Sequence, residues 1–265
     1  MKVKDKVCVV TGAAGGIGEA VARRYAKEGA KGVVVADRDA DRLRTVADDI
    51  RGLAVACDVA RESDIKQLIA EAERRFGPVD VFFSNAGIGR GGHEDATDKD
   101  WADSWAIHVM SHVYAARALV PGMLARKSGY LLNTASAAGL LASMGSAPYG
   151  VTKHAAVALA EWLAITYGDR GIGVSVLCPQ AVRTAMTDAG SAVGDVGVGA
   201  ARADGMIEPE DCAAAVIEGL RRESFLILPH PEVLTYLRRK ADDYDRWLIG
   251  MQRFQKRLGF VGPTP

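Results

Sequence analysis

The sequence is short of cysteine, has no surplus of either charge and lacks a long unbroken apolar run, and each shortage removes a class of function. Its four cysteines, Cys8, Cys57, Cys178 and Cys212, stand far apart with no C-x-x-C spacing. They give no sign of a disulfide framework or a metal site. Three lie in apolar runs (VCVV, LAVAC, VSVLC), where a reduced core thiol is expected. Lys plus Arg and Asp plus Glu both number 33, so no net field favours nucleic acid or an acidic membrane surface, and neither is expected as a partner. Residues 128–152 carry no formal charge, yet Asn133, Pro148 and several serines and glycines interrupt them. A membrane span is therefore rejected. The opening MKVKDKVCVV is charged and then enters an apolar run too short for a signal-peptide core, so a cytoplasmic protein is expected.

What remains is a globular composition, 49% hydrophobic and 25% charged over 265 residues, enough to bury a sizeable core. Short β-branched runs (KVCVV, GVVVA, LAVAC, VDVFFS, GYLLNT, GVSVLC) alternate with longer segments of helical period. Ile65, Leu68, Ile69, Ala72 and Phe76 are the clearest of these. Strands alternating with helices imply right-handed crossovers and a parallel sheet covered on both faces. The fold class is α/β, doubly wound, with about seven strands in one domain spanning 1–265. A Gly- and Ala-rich segment at about 185–207 has no stable period and is expected to be a mobile loop.

The stretch TGAAGGIG, residues 11–18, connects the first strand to a segment of helical spacing. Such a turn offers backbone N–H groups and the positive end of a helix dipole to a pyrophosphate, and glycine keeps a Cβ out of the way. A tight turn alone would also use glycine, but the position after a first strand favours a nucleotide site and a Rossmann-type sheet. The second strand ends at Asp37, where a carboxylate can accept from ribose hydroxyls and repel a 2′-phosphate. NAD is thus expected over NADP, with the adjacent Arg38 as the group that could favour the latter. A helix-capping aspartate is the plainer account of Asp37.

With these motifs in this order, the chain resembles the short-chain dehydrogenase/reductase family, in its shorter branch, over about residues 4–230. The resemblance rests on T-G-x-x-x-G-x-G (Thr11, Gly12, Gly16, Gly18), C-D-V (Cys57, Asp58, Val59), N-A-G (Asn85, Ala86, Gly87), Ser136, and Y-x-x-x-K (Tyr149, Lys153). It implies a cofactor site built from Gly12, Gly16, Ile17, Gly18, Asp37, Arg38, Asp58, Val59 and Asn85 to Gly87, with Asp58 near the adenine. It also implies that Tyr149 exchanges a proton with the substrate oxygen, that Lys153 lowers the tyrosine pKa and holds the nicotinamide ribose, and that Ser136 orients the carbonyl or hydroxyl. The chemistry agrees, since a phenol titrating near 10 is a poor base until a nearby ammonium favours the phenolate. A basic residue common at the place of Gly15 in NADP-dependent relatives is missing here.

Two positions depart from the family pattern. His108 stands where a catalytic asparagine is usual; it is expected to take that structural place and to titrate in a proton relay, or else to be a packed helix histidine. His112, one turn on, is expected to be structural. After the sixth strand, C-P-Q-A-V-R-T matches P-G-x-V-x-T with Gln180 in place of glycine, so Pro179, Val182 and Thr184 are expected at the nicotinamide end. Leu141 and Met144, with Ser136 and Tyr149, are the expected substrate contacts. The apolar character of this region points to a hydrophobic secondary alcohol and its ketone. A C-terminal extension at about 232–258 carries an amphipathic stripe, Trp247, Leu248, Met251, Phe254 and Leu258, which packs on its own subunit or, alternatively, makes a subunit contact or a lid over a neighbouring pocket. The family resemblance implies a homo-oligomer, dimer or tetramer. A non-catalytic dinucleotide-binding regulator, an NADP-dependent ketoreductase, and a lyase or epimerase are the alternatives to an NAD-dependent dehydrogenase.

Overall fold

In a computed structural model that describes residues 1–187, 202 and 204–259, the apolar runs become strands. These are β1 (Val7–Thr11), β2 (Gly32–Asp37), β3 (Leu53–Ala56), β4 (Val81–Ser84), β5 (Gly129–Thr134), β6 (Ile172–Leu177) and β7 (Leu226–Ile227). They form one sheet in the order β3-β2-β1-β4-β5-β6-β7, and every pairing is parallel. The chain winds outward from β1 to β3, crosses back to β4 and winds outward to β7. The reversal lies between β1 and β4, and the crevice beyond the carboxyl ends of those strands is where such sheets bind ligands. The last apolar run, FLILPHPEV, pairs over two residues only, because Pro229 has no N–H to continue a ladder.

Helices cover both faces, as a parallel sheet requires. α1 (Gly16–Lys27), α2 (Ala40–Ile50) and α7 (Pro209–Arg222) lie on one side; α3 (Glu62–Phe76), α5 (Ser111–Ala125) and α6 (Ala147–Tyr167) lie on the other. Alternation along β1 divides the core: Val7 and Val9 pack with Ile65, Leu68 and Phe82, whereas Cys8 and Val10 pack with Val21, Tyr25 and Leu43. Phe82 is wholly buried, and truncating such a ring costs about 3–5 kcal/mol. The periodic stripe expected of α3 is its buried face, formed by Ile65, Leu68, Ile69 and Ala72. All four cysteines are free thiols in the interior.

α4 (Asp98–Trp105) runs into a single π-helical turn, Ala106–Met110, before α5 begins. Beyond β7 the chain forms α8 (Glu232–Asp242) and α9 (Tyr244–Arg257). Most of the segment expected to be a substrate loop lies outside the described residues. Among the described residues, no helix is long and apolar enough to cross a membrane.

Candidate active site

A cavity of about 1290 Å³ opens at the carboxyl edge of the sheet and runs from the end of β2, past the start of α1, to the start of α6. The glycine turn forms its floor. Gly12 has φ +66°, and a Cβ there would lie 2.7 Å from Ala86 Cα; one on Gly18 would collide with the Gly12 carbonyl. These two glycines therefore answer to packing within the chain. The tight-turn account of these two glycines has this physical basis, and Gly12 also lines the cavity. Gly15, Gly16 and Ile17 line the cavity at the α1 N-terminus, where N–H groups and the helix dipole favour an anion.

Asn85 holds the turn and the neighbouring strands together. Its Nδ2 donates to the carbonyls of Thr11 at 3.1 Å and Gly12 at 3.4 Å, and its Oδ1 accepts from Thr134 at 3.1 Å. The backbone N–H groups of Asn85 and Ala86 both donate to the Thr11 hydroxyl. One side chain thus ties β1, β4 and β5 at the edge where Asn85, Ala86 and Gly87 face the cavity.

At the far end of the cavity Asp37 accepts from the N–H groups of Ala14 (3.2 Å), Arg38 (2.7 Å) and Asp39 (3.2 Å). A carboxylate has about four lone-pair sites, which leaves capacity for a ribose hydroxyl. Arg38 does not line the cavity; Arg42, which sequence reasoning overlooked, does. Its place four residues beyond Arg38, in the following helix, was the available signal. Asp58 accepts from the Ala60 N–H at 3.1 Å, Val59 is buried in the core, and neither they nor Gly18 line the cavity.

At the other end, Ser146 and Pro148 open α6, whose first turns present Tyr149 and Lys153 from one face. Ser136, following β5, lies on the same wall. The Lys153 ammonium sits 5.5 Å from the centre of the Tyr149 ring and donates to the Thr134 carbonyl at 3.2 Å. Burial brings Lys153 down to about 8. It pushes the Tyr149 phenol above its ordinary value, with the Ser136 hydroxyl pulling the other way. Burial thus sets the direction of the Tyr149 shift, opposite to the depression expected from the lysine.

Behind this pair, His108 is fully buried. Its ring meets the Tyr149 ring edge-on, with centroids 5.5 Å apart and planes at 86°. Burial, and then the Lys153 charge, hold it well below the usual histidine range. His112 is likewise buried and brought down to about 3. Both surroundings disfavour the charged imidazole, which favours the packed-histidine alternative for His108 over a titrating one.

Leu141, Met144, Pro179, Val182 and Thr184 line the same end. Gln180, in place of the family's glycine, donates to Asp204 at 3.1 Å, and Asp204 also accepts from Tyr236 on α8 at 2.8 Å. Lys240, buried on α8, donates to the carbonyls of Leu140 and Leu141 at 2.7 and 2.9 Å. The C-terminal extension is thus fastened to both sides of the cavity, and Trp247, Met251 and Phe254 of α9 complete its wall. Three residues of the apolar stripe expected there, Trp247, Met251 and Phe254, face their own chain's cavity, while Leu248 is half exposed and Leu258 lies outside the lining.

The family model for short chain dehydrogenase matches residues 6–192. A 1-deoxy-11-beta-hydroxypentalenate dehydrogenase of Streptomyces exfoliatus is 34% identical, over 92% of this chain and 90% of the relative. A short-chain dehydrogenase/reductase from Burkholderia phymatum, solved in complex with NAD, is 29% identical and covers 100% of this chain and 99% of its own, with a TM-score of 0.82. The L-sorbose reductase of Gluconobacter frateurii, solved with NADPH and L-sorbose, is 29% identical over 86% of this chain and 95% of its own, with a TM-score of 0.75.

Proposed function

The chain belongs to the short-chain dehydrogenase/reductase family and is an oxidoreductase acting on hydroxyl groups; from that premise we propose that it interconverts a hydrophobic secondary alcohol and its ketone with NAD. The observation that carries the reading is the placement of Ser136, Tyr149 and Lys153 at one end of a cavity whose other end holds the glycine turn and Asp37. That span suits a dinucleotide. The N–H groups at the start of α1 hold its pyrophosphate, Asp37 its adenosine ribose, and Val182 and Thr184 its carboxamide end. The chemistry that NAD supplies when bound is hydride acceptance at the nicotinamide.

The protein's share is positional and protonic. Tyr149 takes the proton from the substrate hydroxyl during oxidation and returns it during reduction. Ser136 orients the substrate oxygen, and the Lys153 ammonium favours the phenolate and binds the nicotinamide ribose. Asn85 fixes the edge on which these groups act. Leu141 and Met144, with Trp247 and Met251, give the substrate an apolar surround. Buried reduced thiols accord with a cytoplasmic enzyme, and exposed Trp105, Trp162 and Ile165 accord with a homo-oligomer, dimer or tetramer.

The test is an initial-rate assay with NAD and with NADP over a panel of apolar secondary alcohols. Faster turnover with NAD supports the reading. Turnover with NADP alone contradicts the cofactor assignment, and tight NADH binding with no turnover of any alcohol moves the weight to a non-catalytic regulator.

A further inference from the structure

His108 stands at a break in helical geometry. The chain reaches it through the π turn Ala106–Met110, and such turns cluster at functional sites because the extra residue re-aims side chains. Here the turn aims the imidazole between the loop after β4 and the first turns of α6. Each ring nitrogen finds one partner: Nε2 accepts from the Ile88 N–H at 3.1 Å, and Nδ1 lies 2.8 Å from the Thr152 hydroxyl.

The direction of these bonds follows from counting protons. Thr152 has one hydroxyl proton, which it directs to the Pro148 carbonyl at 2.7 Å, with the Tyr149 carbonyl at 3.2 Å. The hydroxyl therefore accepts from His108, the imidazole proton sits on Nδ1, and Nε2 is free to accept from Ile88. The chain of bonds runs from Ile88 N–H through His108 and Thr152 to a helix carbonyl, and it begins and ends on backbone groups. No proton can be passed along it without breaking a buried bond. The surrounding charges oppose protonation as well, since Lys153 and Arg90 both disfavour a cation at this ring.

We infer that His108 is a positioning residue: its side chain is a neutral strut that fixes the Asn85–Ile88 loop against the Tyr149–Lys153 turn of α6 through Thr152, and the imidazole takes no part in proton transfer. The inference rests on the proposed roles of Tyr149 and Lys153. A Cβ on Gly87 would lie 3.7 Å from both His108 Nε2 and Lys153 Nζ, so the strut meets the loop where it borders the lysine. Its length sets how far the cofactor-side backbone stands from the acid/base pair.

The test combines a readout on the ligand-free protein with kinetics. In ¹⁵N-histidine NMR of the full chain, His108 is expected to stay neutral and Nδ1-protonated from about pH 5 to 9, whereas a protonation step within that range overturns the inference. For kinetics, Asn at 108 keeps a group at the Nδ1 place and Gln one at the Nε2 place, so each preserves one half of the strut. His108→Asn, His108→Gln and Thr152→Val are each expected to lower kcat by about 10- to 100-fold, as a small misplacement of reacting groups does, with the pH profile keeping both limbs. Thr152→Ser, which retains the hydroxyl, is expected to restore kcat, and the effects of His108→Gln and Thr152→Val are expected not to add. A pH limb lost in either His108 variant, or unchanged kcat in Thr152→Val, overturns the strut. Should the His108 variants fail to fold, the Thr152 pair and the NMR titration still decide. If the wild type turns over no alcohol, the functional reading fails separately, because the NMR result does not depend on it.

Discussion

Arg42 holds its guanidinium over Gly15, 3.3 Å from where a Cβ on that glycine would begin. In NADP-dependent relatives a basic side chain is expected at the Gly15 position itself, so this chain brings a cation to the same place from α2. Asp37 faces the same end of the cavity and works against a 2′-phosphate. In the proposed reading, cofactor choice is a balance between one carboxylate and one guanidinium. Replacing Asp37 with Ala is expected to raise the NADP-to-NAD ratio of kcat/KM by roughly 10- to 100-fold, because a repulsion disappears and the guanidinium is left to hydrogen-bond the phosphate. Adding Arg42→Ala should reverse most of that rise, and a ratio that Arg42 does not influence would remove it from the cofactor site.

Lys153 makes stability depend on pH. Its value in the folded protein, about 8, lies below the ordinary 10.5, so between those values the unfolded chain binds more protons and stability rises with pH. Below about 8 both states are protonated and the cost of burying the charge is fully present. Lys153→Met is expected to stabilise the fold by roughly 1–3 kcal/mol at neutral pH while abolishing turnover. That advantage should shrink across the window from about 8 to 10.5, measured by denaturant unfolding at several pH values.

Lys240 fastens α8 to the Leu140–Leu141 backbone, and α8 carries the α9 wall of the cavity. Lys240→Met removes two hydrogen bonds to a charged donor, interactions that contribute about 1.5–3 kcal/mol each. The expected result is a substrate KM raised about tenfold or more with NADH affinity unchanged, since the Gly15–Asp37 end is untouched. Equal weakening of both would show that the extension supports the whole cleft.

Gly18 is a packing glycine. Gly18→Ala places a methyl against the Gly12 carbonyl, and an overpacked contact of this kind is expected to cost about 2–3 kcal/mol. Unfolding midpoints of the ligand-free protein measure it. A stability loss seen only in the presence of NAD would return the residue to ligand contact.

Much of this was legible in the sequence because its signals are local. The β-branched runs, the stripe on α3, the glycine turn and the i, i+4 pair of Tyr149 and Lys153 each lie within a few residues, and each became the element expected. The misses are relations across long sequence separations. Lys240 reaches carbonyls 99 and 100 positions away, and no pattern in LRRKADD announces it. Arg42 occupies the place of a Gly15 side chain only after α1 and α2 are folded side by side. The π turn around His108 leaves the periodicity of WADSWAIHVM nearly helical, so neither the turn nor the burial of the ring could be read from residue types. The direction of the Tyr149 shift was missed for a related reason: proximity to an ammonium is visible in the spacing, while burial is a property of the whole cavity.

The most direct test of the account is Tyr149→Phe, assayed for NADH binding by fluorescence and for turnover of whichever alcohol the wild type oxidises. Loss of the phenol proton site with the cavity intact predicts NADH affinity within about twofold of wild type and turnover lower by roughly 10²- to 10⁴-fold. Turnover within tenfold of wild type would contradict the assignment of Tyr149 as the acid/base, and with it the central reading of the site.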